Sequence, residues 1–279
     1  MSAAIDVRAD VHREMIGRFV ESRSAIVLPA EKHYLFDARL QPVMREYGVS
    51  DLVELANQIS RDGSSPLAQA VIEAMTTNET SFFRDIHPFD ALNETLLPEL
   101  IRSRQQSKRL AIWSAACSTG QELYSIAMLL DSAVTNLSDW DITLHGTDLS
   151  TEVLARARSA RYSALEVNRG LRAQYLAKYF TRDGTHYLLA EHLRAWATFD
   201  RLNFIEPWPG LPRFDIVLCR NVLIYFELEV RQQIIRRIRD VLAPDGYLIL
   251  GSAETSVGDV QGFTRLSVGR STIYRKEAH

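Results

Sequence analysis

The first part of the chain has apolar residues at helical spacing, with one apolar face returning every three to four positions. No run in it alternates as a strand would, so the pattern predicts a small domain of helices only. Ser50 and either Ser65 or Ser64 are placed as N-caps of the third and fourth helices. Gly48 is a suitable stop for the second helix, which Pro42 should kink or end early. The predicted helices cover Val11–Glu21, Glu31–Tyr47, Leu52–Arg61 and Pro66–Met75.

A different pattern follows a further predicted helix over Pro88–Arg104. Short apolar runs alternate with amphipathic segments, which predicts a mainly parallel sheet with helices on both faces. Two final runs, Phe263–Val268 and Thr272–Arg275, flank a turn at Gly269–Ser271 and predict a terminal antiparallel hairpin. The other predicted strands are Leu110–Ala116, Thr143–Thr147, Thr198–Arg201, Ile216–Cys219 and Tyr247–Gly251. The predicted helices between them are Gly120–Ser132, Thr151–Ser159 and Glu229–Leu242.

Residues 162–195 interrupt the alternation of strands and helices. They contain a predicted helix, Arg169–Lys178, and then a hairpin whose turn would take its positive-φ positions from Asp183 and Gly184. We interpret residues 162–195 as an inserted β subdomain. The expected domains are therefore a helical domain over 1–76 and an α/β domain over 77–279 that contains this insert.

Composition limits the class of protein but does not choose a function. The 279 residues are 46% apolar and 24% charged, which is usual for a soluble globular chain. A net charge of −3 does not indicate general binding to nucleic acid or to an anionic membrane. The chain shows neither a signal-peptide pattern nor an apolar run of roughly 20 residues, so we expect a cytoplasmic protein. Cys117 and Cys219 end core strands, which favours buried thiols over a disulfide or a structural zinc site.

The segment around Gly120 suggests a ligand site. A buried strand passes through a turn of small residues, including Ala115 and Ser118, into a helix whose first turn contains Glu122. Such a junction directs backbone N–H groups and the positive end of the helix at a ligand. The generic dinucleotide fingerprint is absent because the turn has a single glycine. A strand packed on a helix without any ligand would show the same pattern.

An acidic residue at the end of the next strand strengthens that suggestion. Asp148 follows Gly120 by 28 residues, and its carboxylate can accept hydrogen bonds from both hydroxyls of a ribose. The alternative is that Asp148 caps the helix starting at Thr151, although Ser150 is available for that role. NAD and S-adenosylmethionine both carry such a ribose, so these residues alone leave the cofactor open.

Five segments, taken together and in order behind a helical domain, resemble the chemotaxis receptor methyltransferases of the CheR family. The likeness extends from about Val11 to Arg275. It implies a Rossmann-like class I methyltransferase domain with a terminal antiparallel hairpin and a small inserted β subdomain, preceded by an all-α domain. The segments are NETSFFR from Asn78, WSAACSTGQELYSIA from Trp113, GTDLS with VLARAR from Gly146, CRNVLIYF from Cys219 and GYLILGSAE from Gly246.

The resemblance implies S-adenosylmethionine as the cofactor. Glu122 and Asp148 would hold its amino acid and ribose portions, while Asn203 and Asn221 with Val222 would close around the adenine and the methionine end. Further contacts would come from the link between the two domains. The expected cofactor residues are Asn78, Thr80, Arg84, Ala115, Glu122, Asp148, Asn203, Phe204, Asn221 and Val222.

The implied reaction is methylation of glutamate side chains on chemotaxis receptors, which forms methyl esters for sensory adaptation in bacteria. Tyr225 and Arg84 are the expected catalytic residues, because Tyr225 would lie near the reacting methyl and Arg84 could offset anionic charge. The partner would be the cytoplasmic methylation helices of a receptor. Lys32, Arg39 and Arg45 could approach them, although a merely solvated helix face would look the same.

A second receptor contact distinguishes members of this family, some of which dock on a pentapeptide at the receptor's carboxyl terminus. Between Phe180 and Tyr187 this chain has only TRDGTH, which favours the pentapeptide-independent type. Three other functions are weighed against the methyltransferase: a cofactor-binding scaffold, a nicotinamide oxidoreductase and a methyltransferase of small carboxylates. The intact cofactor segments argue against the scaffold, and the missing glycine fingerprint argues against the oxidoreductase.

Overall fold

The computed structural model describes residues 7–29, 34–133, 139–254 and 261–277. These residues form two compact units. The first runs to Thr77 and includes the later segment Tyr225–Val230, and the second comprises the sheet and its helices.

The helical unit contains the four helices that the sequence predicts, and they begin and end close to the expected residues. Ser65 caps the fourth helix as expected, whereas the cap of the third is Asp51 and not Ser50. Ser50 instead donates to Glu54 from its N–H and its hydroxyl, so the prediction of Ser50 as the cap is wrong. The helices are α1 (Val7–Ser24), α2 (Tyr34–Tyr47), α3 (Leu52–Arg61) and α4 (Pro66–Met75).

The second helix differs from its prediction at Pro42. The proline lies inside α2, and the helix continues to Tyr47, so the expected early end is wrong. Gly48 follows with φ +68°, a left-handed conformation that terminates a helix at no steric cost for glycine. Residues 31–33, including Lys32 and the expected start of this helix, lie outside the described residues.

One arginine expected to face a partner has an internal role in the helical unit. The Arg39 guanidinium donates to the carbonyl oxygens of Met75 and Thr76, at 2.8 and 2.9 Å, and to the Thr77 hydroxyl. These carbonyls end α4, where helix geometry leaves them without backbone donors. Arg39 therefore closes the last turn of α4, and Arg45 is the exposed basic residue that remains on the described part of α2.

The sheet unit is built on a seven-stranded sheet in the order β6-β2-β1-β7-β8-β10-β9. The first five strands in this order are parallel, and β10 and β9 add an antiparallel hairpin at one side. This confirms the predicted sheet and its terminal hairpin. The strands are β1 (Arg109–Ala115), β2 (Asp141–Asp148), β6 (Ala197–Arg201), β7 (Phe214–Cys219), β8 (Leu242–Leu250), β9 (Phe263–Val268) and β10 (Ser271–Lys276).

The neighbouring strands β1 and β7 are buried along nearly their whole length, as is typical of parallel strands in a sheet covered by helices. Burial is most complete in α7, where the residues from Gln121 to Leu130 are all buried, including the polar side chains of its first turn. A helix over His87–Ser103 precedes the sheet and contains one π turn, Leu92–Leu96. The other helices are α5 (His87–Ala91), α6 (Leu97–Ser103), α7 (Gln121–Ala133), α8 (Thr151–Ser159) and α12 (Leu228–Val241).

The insert is a three-stranded antiparallel sheet in the order β3-β5-β4. Its hairpin turn consists of Gly184 and Thr185, because Asp183 still pairs with His186. Gly184 has the expected positive φ of 62°, but the expectation for Asp183 is wrong. The predicted helix at Arg169 starts instead at Ala173. The elements are β3 (Arg161–Ser163), α9 (Ala164–Asn168), α10 (Ala173–Tyr179), β4 (Phe180–Asp183), β5 (His186–Leu189) and α11 (Glu191–Arg194).

Candidate functional site

The turn between β1 and α7 has an unusual backbone. Ala116 and Ser118 take positive φ values of 67° and 51°, and Gly120 follows at 88°. For residues other than glycine this conformation costs about 1–2 kcal/mol each, so the surroundings must hold it. The Cys117 N–H does so by donating to the Thr147 carbonyl at 2.8 Å. The turn is thereby fixed to the end of β2, where Asp148 lies.

Ser118 joins two of the residues predicted to bind the cofactor. Its N–H donates to Asp148 Oδ2 at 2.8 Å, and its hydroxyl donates to the Asn78 carbonyl at 2.7 Å. The NETSFFR segment is therefore held beside the turn after β1. Phe82 of the same segment is fully buried and packs edge-on against Tyr162. Packing in the core therefore accounts for this aromatic residue of the segment.

Asp148 is 8% exposed and is oriented by two backbone N–H groups, those of Ser118 and Ser150. The Ser150 side chain caps α8 by accepting from the Val153 N–H, so the capping alternative for Asp148 is wrong. A carboxylate offers about four acceptor positions in one plane. Asp148 is therefore a buried and oriented carboxylate at the end of β2, and its contact with a ribose stays a prediction.

Glu122, 9% exposed, is part of a buried charge network. Its Oε1 accepts from the Ser114 hydroxyl at 2.8 Å, and its Oε2 accepts from Arg220 at 2.7 Å. Arg220 also donates to Asp85 Oδ2 and to the Arg84 carbonyl, each at 2.9 Å, and its side chain is 1% exposed. These hydrogen bonds fix both oxygens of Glu122 in the first turn of α7, beside the end of β1.

The loop after β7 is held by the carboxylate of Glu254, a role that no local sequence pattern predicts. Asn221 has φ +59°, and its N–H donates to Glu254 Oε2 at 2.8 Å. Glu254 Oε1 accepts from the N–H groups of Val222 and Leu223, and Oε2 also accepts from Gly251. The Glu254 residue is 1% exposed, so four backbone donors surround one buried carboxylate.

Asn203 and Phe204 lie in the loop after β6 and are both buried. The Leu202 N–H donates to the Asp148 carbonyl at 2.9 Å, which brings this loop to the end of β2. The Asn203 Oδ1 accepts from the Ile205 N–H at 3.2 Å and keeps the loop folded. Asn203 is therefore near Asp148, in the same part of the sheet edge.

The two expected catalytic residues have different settings. Arg84 is half-buried in the sheet unit, and its guanidinium donates to the Glu79 carbonyl at 2.5 Å. Tyr225 is half-buried and belongs to the helical unit, where its carbonyl accepts from the Val27 N–H at 2.9 Å. Thr80 is half-buried and Ala115 is the buried last residue of β1. The catalytic roles stay predictions.

Other chemistries find less support in the structure. Cys117 and Cys219 are buried free thiols, and burial raises the pKa of both far above the range of a reactive cysteine. In the described ranges no three His, Cys, Asp or Glu side chains gather as a metal site would require. No helix in those ranges is long and apolar enough to cross a bilayer.

Two residues that hold the site, Arg220 and Glu254, have only weak local signals in the sequence. Arg220 interrupts an apolar segment, and Glu254 ends one of the five segments, yet their partners lie far away in sequence. Arg220 is 98 residues from Glu122, and Glu254 is 33 residues from Asn221. Such pairs cannot be read from local spacing.

Taken together, the mainly parallel sheet, its antiparallel end and the buried acidic side chains beside the strand ends are the architecture of a class I methyltransferase. Residues 13–76 match the family described as CheR methyltransferase, all-alpha domain, and residues 78–271 match its SAM binding domain. The chain belongs to the CheR methyltransferase family. It is an enzyme that uses S-adenosylmethionine, as the resemblance implied.

Three relatives illustrate the extent of the similarity. Chemotaxis protein methyltransferase 1 of Pseudomonas aeruginosa is 38% identical over 271 residues, which cover 96% of this chain and 98% of the relative. Chemotaxis protein methyltransferase Cher2 of Pseudomonas putida is 37% identical over 261 residues, 92% of this chain and 94% of the relative. The Escherichia coli chemotaxis protein methyltransferase is 36% identical over 252 residues, 88% of this chain and 85% of the relative.

Proposed function

We propose that this enzyme transfers the methyl group of S-adenosylmethionine to glutamate side chains of chemotaxis receptors, forming methyl esters. The names of its relatives support a role in chemotaxis. The observation that carries the proposal is the pair of buried carboxylates at one sheet edge, Asp148 held by Ser118 and Glu122 held by Arg220. Both side chains lie at or just after the carboxyl ends of neighbouring strands, where open α/β sheets bind nucleotides.

In this proposal each buried group receives one part of the cofactor. Asp148 accepts from the ribose hydroxyls and Glu122 from the amino group. Asn203 and Phe204 border the adenine, while Asn221 and Val222 border the methionine end. The remaining contacts come from Asn78, Thr80, Arg84 and Ala115.

Little acid–base chemistry is needed for this reaction. When bound, S-adenosylmethionine supplies a methyl group already activated by its sulfonium. A substrate glutamate has a pKa of about 4.3 and is ionised at neutral pH, so it can attack without a general base. The chain's own contribution is to orient the reactants, an effect worth roughly 7–11 kcal/mol in favourable cases. Tyr225 orients the incoming carboxylate, and Arg84 offsets its charge.

The proposal is tested with S-adenosylmethionine labelled at the methyl group and the cytoplasmic fragment of a receptor. We expect base-labile label on the fragment, and none when its methylation-site glutamates are replaced by alanine. Asp148→Asn should weaken binding of S-adenosylhomocysteine in calorimetry, while Asp200→Asn, an exposed carboxylate on β6, serves as the matched control. Label that is base-stable, or that goes only to small carboxylates, would contradict the proposal.

We further propose that methylation does not require the receptor's terminal pentapeptide. The support is the β4–β5 hairpin, whose connection is only Gly184 and Thr185. Calorimetry with a receptor-tail peptide should show no binding at micromolar concentration, and removal of the tail should leave methylation unchanged. Micromolar affinity would contradict this part alone.

A further inference from the structure

A cavity of about 470 Å³ opens in the sheet unit beyond the ends of β8 and β10. Leu250 is the last residue of β8, and Ser271 is the first residue of β10. Because the two strands are antiparallel, the start of β10 lies at the carboxyl edge of the sheet. The cavity is lined by Asp85, His87, Leu250, Ser252, Arg270 and Ser271, among others.

The position of this cavity, hereafter the Arg270 cavity, relates it to the site. Along the carboxyl edge the strands follow the order β2, β1, β7, β8, β10. Asp148 ends β2, and Asn221 follows β7, so the proposed cofactor residues occupy the first three positions. The Arg270 cavity occupies the next two, on the side away from Asp148. It is therefore beside the end expected to present the methyl group.

The Arg270 cavity contains a guanidinium and hydroxyl groups that can donate hydrogen bonds. Ser271 is 9% exposed, and its hydroxyl has no hydrogen-bond partner in the structure. Arg270 is exposed in the turn between β9 and β10 and makes no ion pair or hydrogen bond with any described residue. The carboxylate of Asp85 is already bound by Arg220 at 2.9 Å. An unpaired guanidinium and an unpaired hydroxyl, beside a carboxylate that already accepts from Arg220, suit an anionic oxygen ligand.

We propose that the Arg270 cavity binds a carboxylate side chain of the protein substrate, close in sequence to the glutamate that is methylated. This inference rests on the proposed function, since it names where a second acidic residue of the receptor would dock. The donors favour a carboxylate over an apolar side chain, and an acidic segment would provide both the methylated residue and the docked one.

Sheet geometry gives the spacing of the two acidic residues. Neighbouring strands lie about 4.8 Å apart. Measured across the sheet, the ends of β8 and β10 are therefore roughly 5 and 10 Å to the side of the end of β7. On a helical substrate one turn advances about 5.4 Å, and residues three, four or seven apart share a face. We therefore expect the docked carboxylate about one or two turns from the methylated glutamate.

The first test compares Arg270→Ala with Arg109→Ala. Arg109 is a matched exposed arginine at the amino end of β1, the opposite edge of the sheet. Fluorescence anisotropy measures binding of a receptor cytoplasmic fragment in the presence of S-adenosylhomocysteine, and calorimetry measures the affinity for S-adenosylhomocysteine alone. We expect Arg270→Ala to weaken fragment binding roughly 5-fold, with unchanged affinity for S-adenosylhomocysteine, and Arg109→Ala to change neither.

The second test alters the substrate. Glutamates three, four or seven residues from a methylation site are replaced by glutamine, one at a time, and KM is measured with wild-type enzyme and with Arg270→Ala. Replacement of the docked glutamate should raise KM for the wild-type enzyme. It should not raise KM further for Arg270→Ala, because that variant has already lost the contact between Arg270 and the glutamate.

Equal fragment binding by Arg270→Ala and Arg109→Ala, or additive effects in the second test, would overturn the inference. The failure of the proposed function looks different, since the wild type would then leave no methyl ester on any receptor fragment. A wild type that esterifies the fragment while Arg270→Ala behaves like Arg109→Ala contradicts only the assignment of the cavity.

Discussion

Replacing Glu254 by glutamine should loosen the loop after β7 while preserving the shape of the side chain. In the native chain each carboxylate oxygen accepts from two backbone N–H groups, one oxygen from Val222 and Leu223 and the other from Asn221 and Gly251. Glutamine keeps one oxygen and turns an NH2 group toward the other pair of donors. Two buried N–H groups then lose their acceptor and face a donor.

The magnitude follows from the cost of a buried unsatisfied donor, about 1–3 kcal/mol each. Two such donors give a loss of roughly 2–6 kcal/mol, a large part of the 5–15 kcal/mol typical of a folded protein. The space around the carboxylate offers little relief, since a Cβ added at Gly251 would lie 2.5 Å from Glu254 Oε2. We therefore expect local opening of the loop in preference to rearrangement around the new amide.

Hydrogen exchange read by mass spectrometry is the direct assay. Peptides covering Asn221–Leu223 and Gly251 should exchange much faster in Glu254→Gln, and urea unfolding should show a lower midpoint. Glu191→Gln, an exposed carboxylate at the start of α11, is the matched control. S-adenosylhomocysteine should also bind more weakly to Glu254→Gln, since Asn221 and Val222 lose their fixed position. Exchange equal to that of Glu191→Gln would refute the reasoning.

Three further predictions concern other parts of the chain. Gly170→Ala should destabilise the fold by several kcal/mol in urea unfolding, since φ is +88° and the new Cβ would lie 2.0 Å from the Phe82 carbonyl. Gly184→Ala, which also has positive φ but meets nothing within 4 Å, should cost only about 1 kcal/mol and is the control. Burial lowers the pKa of His145 below its usual 6.5, with the Asp200 carboxylate opposing the shift. The unfolded chain therefore binds a proton first, and stability should decline as pH falls below about 6.5, a decline that His145→Asn should reduce. Tyr225→Phe should lower kcat far more than affinity for S-adenosylhomocysteine, and equal losses in both would exclude an orienting role.

Local sequence patterns correctly predict those elements whose structure depends on neighbouring residues alone. The β1 strand and α8 lie where the apolar runs predicted them, because strand and helix periodicity are local properties. The sequence offers Ser150 as an alternative to Asp148 for capping α8, and the structure confirms Ser150 as the cap. The cap of α3 is Asp51 and not the predicted Ser50, because both residue types cap helices well and local pattern does not choose between neighbours.

Long-range hydrogen bonds account for what the sequence could not show. The Arg220 side chain appeared only as a polar interruption, and its contacts to Asp85 and Glu122 depend on three separate segments meeting in the fold. Arg39 is a second example. The sequence predicts it on a basic helix face, whereas its guanidinium donates to the carbonyl oxygens at the end of α4, a contact that local spacing does not reveal.

The helical unit takes its residues from two distant stretches of chain, because Tyr225–Val230 belongs to it although nearly 150 residues of the other unit intervene. A fragment truncated after Thr77 would lack the carbonyl of Tyr225 that the Val27 N–H uses. Chimeras that exchange the front of this enzyme with that of a relative should therefore carry both stretches. A chimera that exchanges only the stretch ending at Thr77 would combine segments of two different proteins within one helical unit.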